Sequence, residues 1–78
     1  MSETTVTIYT KPSCVQCRAT KTKLDAKGIK WFEHDVTKIA AALEYVTEEL
    51  GYAQAPVVVV DDQNHWSGFR PDLIDKLS

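Results

Sequence analysis

The stretch VTIYTKPSCVQCRATKTKLDAKG, residues 6–28, decides the fold of this chain. Its first five residues are β-branched or aromatic and predict a strand, which Lys11-Pro12-Ser13 ends. No helix breaker occurs over residues 15–27, and the glycine that follows is typical of a helix C-terminal cap. The stretch therefore predicts a strand, a loop and a helix, with Cys14 and Cys17 at the junction of loop and helix.

The rest of the chain predicts three more strands and two more helices. In chain order these are a strand over Ile29–Asp35, an amphipathic helix through Ile39, Ala42, Leu43, Val46 and Leu50 that Gly51 ends, a strand over Pro56–Val60, a turn over Asp61–Asn64, a strand over His65–Ser67 and a helix from Pro71 through Leu73, Ile74 and Leu77. An opening strand, helix and strand imply a right-handed parallel crossover, and two strands joined by a short turn are antiparallel. We therefore predict an α/β fold of order βαβαββα, with a four-stranded mixed sheet and three helices.

Length and composition limit the classes of function. The 78 residues allow one domain, over residues 1–78, and the 44% hydrophobic and 26% charged fractions are typical of a globular chain. The net charge of −2 does not indicate a protein that binds nucleic acid or an anionic membrane surface. No signal-like apolar stretch opens the chain, and the longest apolar run, residues 55–60, is too short to span a bilayer. We expect a cytoplasmic protein, in a compartment that keeps thiols reduced.

The charges are distributed unevenly along the chain. Residues 11–30 carry six basic side chains and one acidic one, whereas residues 33–62 carry seven acidic side chains and one basic one. Two compatible interpretations are ordinary solvated helix faces and a positive rim that stabilises a thiolate and steers an acidic partner. The basic residues that flank the cysteines are Lys11, Arg18, Lys21 and Lys23.

The spacing of Cys14 and Cys17 favours redox chemistry over a structural role. A disulfide closing so short a loop contributes only about 2 kcal/mol in the chain-entropy model. A zinc site within the chain needs two more ligands, and the only histidines, His34 and His65, do not have the spacing of a zinc finger. A metal or iron–sulfur site shared by two chains stays open as an alternative.

Two thiols this close can form and release a disulfide quickly. The N-terminus of a helix, with its unpaired N–H groups and positive dipole end, favours the thiolate of Cys14 and makes it the expected nucleophile. Cys17 lies one turn further along the helix, and we expect it to be covered and to resolve the mixed disulfide.

Ala55-Pro56 immediately precedes the third strand. X-Pro bonds are generally trans, which would make Pro56 an ordinary strand-start proline. The predicted fold, however, puts this loop beside the first helix, where a cis bond would turn the backbone of Ala55 towards the cysteines. An extended peptide could then pair with that backbone by strand addition. The residues alone leave both alternatives open.

Three features together resemble a known family. They are Cys14-Val15-Gln16-Cys17 at the first strand–helix junction, Pro56 at the start of the third strand, and Trp66-Ser67-Gly68-Phe69-Arg70-Pro71-Asp72 after the fourth. In combination they are similar to the NrdH-redoxins of the glutaredoxin branch of the thioredoxin superfamily, and the resemblance covers nearly the whole chain. It implies a thioredoxin-like fold and a thiol–disulfide oxidoreductase.

The resemblance also implies roles for particular residues. Cys14 attacks a substrate disulfide, Cys17 resolves the intermediate, and Pro56 is the family's cis-proline. Residues 66–71 form a packed loop beneath the last helix. The remaining candidates for substrate contact are Lys11, Val15, Gln16 and Ala55.

The partners that the resemblance implies are two proteins. One is the large subunit of class Ib ribonucleotide reductase, which receives electrons, and the other is thioredoxin reductase, which resupplies them from NADPH. No bound cofactor, metal, nucleic acid or membrane is implied, and we expect a monomer. The alternatives are a glutathione-dependent glutaredoxin and a dimer-bridging iron–sulfur carrier.

Two departures from ordinary glutaredoxins support the NrdH-like interpretation. Glutaredoxins typically carry Pro-Tyr between the cysteines, and Val15-Gln16 stands there in this chain. They hold a glutathione carboxylate with Gly-Gly and an acidic residue after the fourth strand. Residues 67–70, SGFR, occupy that place here, and we expect the bulk of Phe69 to crowd the site.

Other side chains have mainly structural interpretations. Trp66 and Phe69 are expected in the core, and Tyr9 is expected as a packed strand aromatic. Arg70 is either a solvated turn residue or a tether, and we favour a tether that donates to the carbonyls of the loop. The two histidines are expected on the surface or on edge strands.

Overall fold

The computed structural model describes residues 5–77. Residues 1–4, where we expect no signal segment, and Ser78 lie outside that range. The elements are β1 (Thr5–Thr10), α1 (Val15–Ala26), β2 (Lys30–Asp35), α2 (Ala40–Glu44) with a π-helical turn (Tyr45–Glu49), β3 (Val57–Asp61), β4 (Asn64–Ser67) and α3 (Pro71–Asp75). The predicted order βαβαββα is confirmed.

The four strands form one mixed sheet in the order β2-β1-β3-β4. β1 and β2 are parallel, with Thr10 paired to Asp35 at their ends, while β3 is antiparallel to both β1 and β4. Both predicted pairings are confirmed. Because β1 and β2 are parallel and β3 is antiparallel to β1 and β4, the ends of β1, β2 and β4 and the start of β3 lie at the same end of the sheet. We call this end of the sheet the active edge, and all the segments that the sequence singles out lie there.

The main core lies between the sheet and the helices α1 and α3. Alternate residues of β1, Val6 and Ile8, are fully buried on that face, as a period of two requires. Each fully buried aliphatic side chain of this kind stabilises the fold by about 1.5–3 kcal/mol. The buried cluster comprises Val6, Ile8, Leu24, Ile29, Val58, Trp66 and Ile74.

Helix α1 ends as the sequence predicts. Gly28 has φ +71°, a left-handed conformation that a side chain disfavours, and the N–H of Ile29 reaches back to the carbonyl of Leu24 at 2.9 Å. Lys23 and Lys27 of this helix both pair with Asp75 of α3, at 3.0 and 3.6 Å. The two helices are thereby held side by side. Within residues 5–77, no helix is long and apolar enough to cross a bilayer.

The helical segment after β2 differs from the expected amphipathic helix. Only five residues are α-helical, and the chain then widens into the π-helical turn, with Leu50 N–H donating to Tyr45 O at 3.1 Å. A π turn takes more residues than an α turn, so the predicted spacing does not continue through it. The segment buries Ala42 and Val46, whereas Leu43 is 46% exposed and Ile39, which precedes the helix, is 40% exposed. The predicted amphipathic helix implies one buried apolar face through all these residues, and for Ile39 and Leu43 that implication is wrong.

Smaller differences concern the boundaries of β3 and α3. Val57 and Val58, which point to opposite faces of the sheet, are both buried, but Val59 and Val60 are half-buried next to an irregularity in the β3–β4 pairing. α3 stops at Asp75, and Leu77 follows it and packs against the core without being helical.

Candidate active site

Cys14 caps the N-terminus of α1 with its own side chain. Its backbone is extended, at φ −102° and ψ 109°, and its Sγ accepts a hydrogen bond from the N–H of Cys17 at 3.1 Å. Its carbonyl accepts from Arg18 N–H at 3.2 Å and so begins the helix. The sulfur therefore lies at the positive end of the helix dipole and binds one of the unpaired N–H groups. Both features favour the thiolate once the protein is reduced.

Ser13 turns the chain into that position. It is the only residue other than glycine with a positive φ, at +58°, among those that the structure describes. The left-handed conformation is uncommon for residues with a Cβ and tends to occur at functional sites. Sequence reasoning missed this role, since serine is not one of the residues that commonly adopt the conformation.

Cys17 is the shielded member of the pair. It is 3% exposed, whereas Cys14 is half-buried, and the two form a disulfide with Cα atoms 5.2 Å apart. Only the sulfur of Cys14 is open to a partner protein. The prediction that Cys17 is covered is confirmed, and the arrangement suits attack by Cys14 followed by resolution by Cys17.

The loop that enters β3 is held against the loop that leaves β4. The Ala55–Pro56 bond is cis, which the residues alone left open and the resemblance implied. Pro56 is buried, and its carbonyl accepts from Gly68 N–H at 2.7 Å. The hydroxyl of Ser67 donates to the carbonyl of Gln54 at 2.9 Å. The loop after β4 thus holds the proline segment in place at the active edge.

Gln16, between the cysteines, also contacts that loop. Its Oε1 accepts from the backbone N–H of Phe69 at 3.2 Å. Phe69 itself packs half-buried against the core, and together with the 82% exposed Val15 it lines an apolar groove along α1. Trp66 is 5% exposed, so the expectation that it belongs to the core is confirmed, whereas Phe69 packs against the core without being buried in it. Substrate contact by Gln16, Val15, Lys11 and Ala55 stays a prediction.

Arg70 does not make the bonds that the sequence predicted. Its guanidinium donates to the carboxylate of Asp72, from Nε at 3.2 Å and from the terminal nitrogen at 3.0 Å, and not to loop carbonyls. A carboxylate two residues away offers a charged, two-pronged acceptor that neutral carbonyls cannot match. This pair raises the pKa of Arg70 and lowers the pKa of Asp72.

The remaining rings at the sheet are structural. Tyr9 packs against His34 and Tyr45 with ring centroids 5.4 and 5.6 Å away, and burial followed by the charge of Tyr45 raises the pKa of Tyr9. His65 Nδ1 lies 2.8 Å from the hydroxyl of Tyr52. Both histidines are half-buried on the edge strands β2 and β4, as expected.

A cleft of about 670 Å³ opens beside the cysteines between α1 and the ends of β1 and β2. The charged residues that line this cysteine cleft are Lys11, Arg18, Lys21, Glu33, Asp35 and Lys38. The expected rim of positive charge is therefore only partly correct. Two carboxylates from the acidic half of the chain enter the cleft, and Lys23 instead pairs with Asp75 of α3.

Glu33 joins three elements in that cleft. Its Oε2 accepts from the buried hydroxyl of Thr10 at 2.6 Å and lies 2.6 Å from Nζ of Lys21. These two bonds lower the pKa of Glu33, the Lys21 contact contributing most. Sequence reasoning did not single out Thr10 or Glu33, because only the strand register, in which Ile8 pairs with Glu33, brings them together.

No three histidine, cysteine, aspartate or glutamate side chains converge to hold a metal ion anywhere in residues 5–77. The chemistry that the site offers is that of its two sulfurs. A thioredoxin-like α/β fold, with a Cys-x-x-Cys disulfide at the first helix N-terminus beside a cis-proline, defines the class of thiol–disulfide oxidoreductases.

Comparison with known proteins identifies the family. The model of the glutaredoxin family matches residues 6–66. The chain is 42% identical to the glutaredoxin-like protein NrdH of Escherichia coli K12, over 92% of this chain and 86% of that protein. It is 43% identical to the gene 56 protein of Mycobacterium phage L5, over 92% of this chain and 70% of that protein.

A solved structure agrees with these relatives. NrdH-redoxin from Escherichia coli, described as a glutaredoxin-like protein with a thioredoxin-like activity profile, superposes with a TM-score of 0.87. It is 40% identical to this chain, and the alignment covers 95% of each. The chain belongs to the glutaredoxin family and, within it, to the NrdH glutaredoxin-like proteins. It is a thiol–disulfide oxidoreductase of the thioredoxin-like fold.

Proposed function

We propose that this protein is an electron donor to the large subunit of class Ib ribonucleotide reductase, and that thioredoxin reductase reduces it with NADPH. It acts as a monomer in the cytosol, where the reducing conditions keep its dithiol available. The similarity to Escherichia coli NrdH and the thioredoxin-like activity profile of NrdH-redoxin support this assignment.

The reaction is two successive thiol–disulfide exchanges. The Cys14 thiolate attacks one sulfur of the partner's disulfide, a mixed disulfide forms, and the released partner thiolate takes up a proton. Cys17 then loses its proton and attacks Sγ of Cys14, which releases the second partner thiol. The partner gains two electrons and two protons, and the Cys14–Cys17 disulfide remains for thioredoxin reductase to reduce.

The observation that carries the proposal is that backbone N–H groups of the loop after β4 are already hydrogen-bonded within the chain. In glutaredoxins this place holds a glutathione carboxylate. Here the N–H of Gly68 donates to Pro56 and the N–H of Phe69 donates to Gln16, so both donors already have acceptors within the chain. Glutathione would have to displace these bonds, which supports thioredoxin reductase as the source of electrons.

A reduction assay tests the electron source. The oxidised protein is mixed either with NADPH and thioredoxin reductase or with glutathione, NADPH and glutathione reductase, and NADPH consumption is followed with a model disulfide as acceptor. We expect turnover in the first mixture and little in the second. Rapid reduction by glutathione would identify a glutathione-dependent glutaredoxin instead.

A trapping experiment tests the electron acceptor. Cys17→Ser cannot resolve a mixed disulfide, so it should accumulate as an adduct with the large subunit of class Ib reductase through Cys14. The double variant Cys14→Ser/Cys17→Ser is the control and should give no adduct. If Cys14→Ser alone still reduced disulfides, the assigned nucleophile would be wrong. A visible absorption band in anaerobically purified protein would favour the iron–sulfur carrier.

A further inference from the structure

Lys21 is placed to influence the cysteine pair. It follows Cys17 by four residues on α1, so the two side chains share one helix face, with Cβ atoms about 5–6 Å apart. Long side chains of a helix lean towards its N-terminus, which for Lys21 is the direction of Cys17. Cys14, Cys17 and Lys21 all line the cysteine cleft.

Glu33 restrains this lysine. Nζ of Lys21 lies 2.6 Å from Oε2 of Glu33 and 5.7 Å from the centre of the Trp31 ring, so the ammonium is held on the β2 side of the cleft. The hydroxyl of Thr10, a residue that is 2% exposed, donates to the same carboxylate oxygen and fixes its position. Because its pKa is lowered, Glu33 is ionised at neutral pH and its counter-charge is permanent there.

We propose that Glu33 is a positioning residue that holds and neutralises Lys21 beside the cysteine pair and thereby sets the dithiol–disulfide equilibrium of Cys14 and Cys17. A free ammonium next to the pair would stabilise the thiolate of the reduced protein but not the uncharged disulfide. The protein would then become a weaker electron donor. Glu33 keeps the dithiol strongly reducing.

The other charges that face the cleft remain in every variant compared. They are Lys11 from the loop after β1, Arg18 from α1, Asp35 at the end of β2 and Lys38 from the turn that follows. The side chains of Lys21 and Glu33 are 29% and 35% exposed, so water screens part of their interaction. The expected effect is therefore a shift of several-fold and not of many orders of magnitude.

The test is the equilibrium between the protein disulfide and dithiothreitol, in which two electrons and two protons pass from the reagent to the protein. Glu33→Gln should shift the equilibrium constant about three- to tenfold towards the protein dithiol, which corresponds to roughly 15–30 mV. The pH profile of alkylation by iodoacetamide should move to lower pH in the same variant, because the thiolate forms more readily.

Two further variants distinguish an effect of Glu33 through Lys21 from a general effect on the stability of the fold. Lys21→Met removes the ammonium through which Glu33 acts and, because that ammonium is neutralised in the parent, should change the equilibrium by less than about twofold. If Glu33 acts through Lys21, the Glu33→Gln shift should disappear once Lys21 is absent, so the double variant Glu33→Gln/Lys21→Met should match Lys21→Met to within about twofold, a non-additive result. Equal shifts in Glu33→Gln and in the double variant would overturn the proposal.

Asp75→Asn is the matched control. Asp75 pairs with Lys23, which lies on α1 like Lys21, but the carboxylate of Asp75 lies outside the cysteine cleft. This variant should leave the equilibrium and the alkylation profile unchanged, and a shift equal to that of Glu33→Gln would also overturn the proposal. The proposal rests on the thiol–disulfide exchange of the proposed function and not on its partners. Since dithiothreitol replaces both partners, its failure and a failure of the reductase assays are distinguishable.

Discussion

Gln16 and Phe69 lie 53 residues apart in the chain, and Oε1 of the first accepts the backbone N–H of the second at 3.2 Å. The neighbouring Gly68 has φ +89°, and a Cβ there would lie 3.6 Å from the same oxygen. The glutamine between the cysteines and the loop after β4 are thus one structural unit. Any change at Gln16 acts on that loop as well as on the redox motif.

Removing this contact should weaken the fold measurably. Gln16→Ala should lower the free energy of unfolding by about 0.5–1.5 kcal/mol, towards the lower figure because the bond is exposed to water. Urea unfolding of the oxidised protein measures it. The control is Gln63→Ala in the exposed β3–β4 turn, where only the backbone N–H of Gln63 makes a bond, to Asp61. Equal losses in the two variants would show that the Gln16 contact contributes nothing.

Two leucines test where the core ends. Leu24→Ala removes a fully buried side chain and should cost about 2–5 kcal/mol of unfolding free energy, because a cavity forms between α1 and the sheet. Leu43→Ala removes a side chain that is 46% exposed and should cost less than about 1 kcal/mol. Urea unfolding compares the two variants. A similar loss in both would mean that Leu43 packs in the core, as the amphipathic helix that the sequence predicted requires.

The sequence predicted those parts of the fold that local patterns determine. The strand β1 and the helix α1 were predictable because residues next to one another in the chain determine them, a β-branched run in β1 and a stretch without helix breakers in α1. The redox pair was predictable for the same reason, since Cys14 and Cys17 lie within one helical turn of each other. The mixed sheet was predicted as well, but the spatial order of its strands, which forms the active edge, comes from the structure.

The rest depends on distant parts of the chain. The site at Glu33 exists because the parallel register places β2 beside β1 and α1 crosses over both, and neither alignment is written in a local pattern. The π-helical turn after α2 changes the helical period without a proline or glycine to mark it. Arg70 donates to the carboxylate of Asp72 and not to loop carbonyls, and which of these acceptors it binds depends on the folded geometry of the loop.

Electrostatic steering of an acidic partner should depend on Arg18, which is exposed at the cysteine cleft. Arg18→Gln should lower kcat/KM with the proposed partner, the ribonucleotide reductase, about two- to fivefold at low salt. At about 0.5 M salt, where charges are screened within a few ångströms, the difference should nearly vanish. Lys76→Gln, at the far end of α3, is the control, and a matching decrease there would show that net charge alone is responsible.

Acid should remove a contribution to stability that belongs to Glu33. Its pKa in the folded protein is lowered from the ordinary 4.5 by Lys21 and Thr10, so its charge stabilises the fold above that value. The contribution is lost as pH falls through the lowered pKa. The difference in unfolding free energy between the parent and Glu33→Gln should therefore be largest near neutral pH and shrink below about pH 4.

Urea unfolding of the parent and of Glu33→Gln over a pH series measures this difference. Asp72 and Asp75 also have lowered pKa values, but both variants retain them, so their effects cancel in the comparison. Asp75→Asn in the same series shows what an exposed pair outside the cleft contributes. A difference for Glu33→Gln that stayed constant with pH would mean that the carboxylate stabilises the fold by packing or hydrogen bonding, and not through its charge.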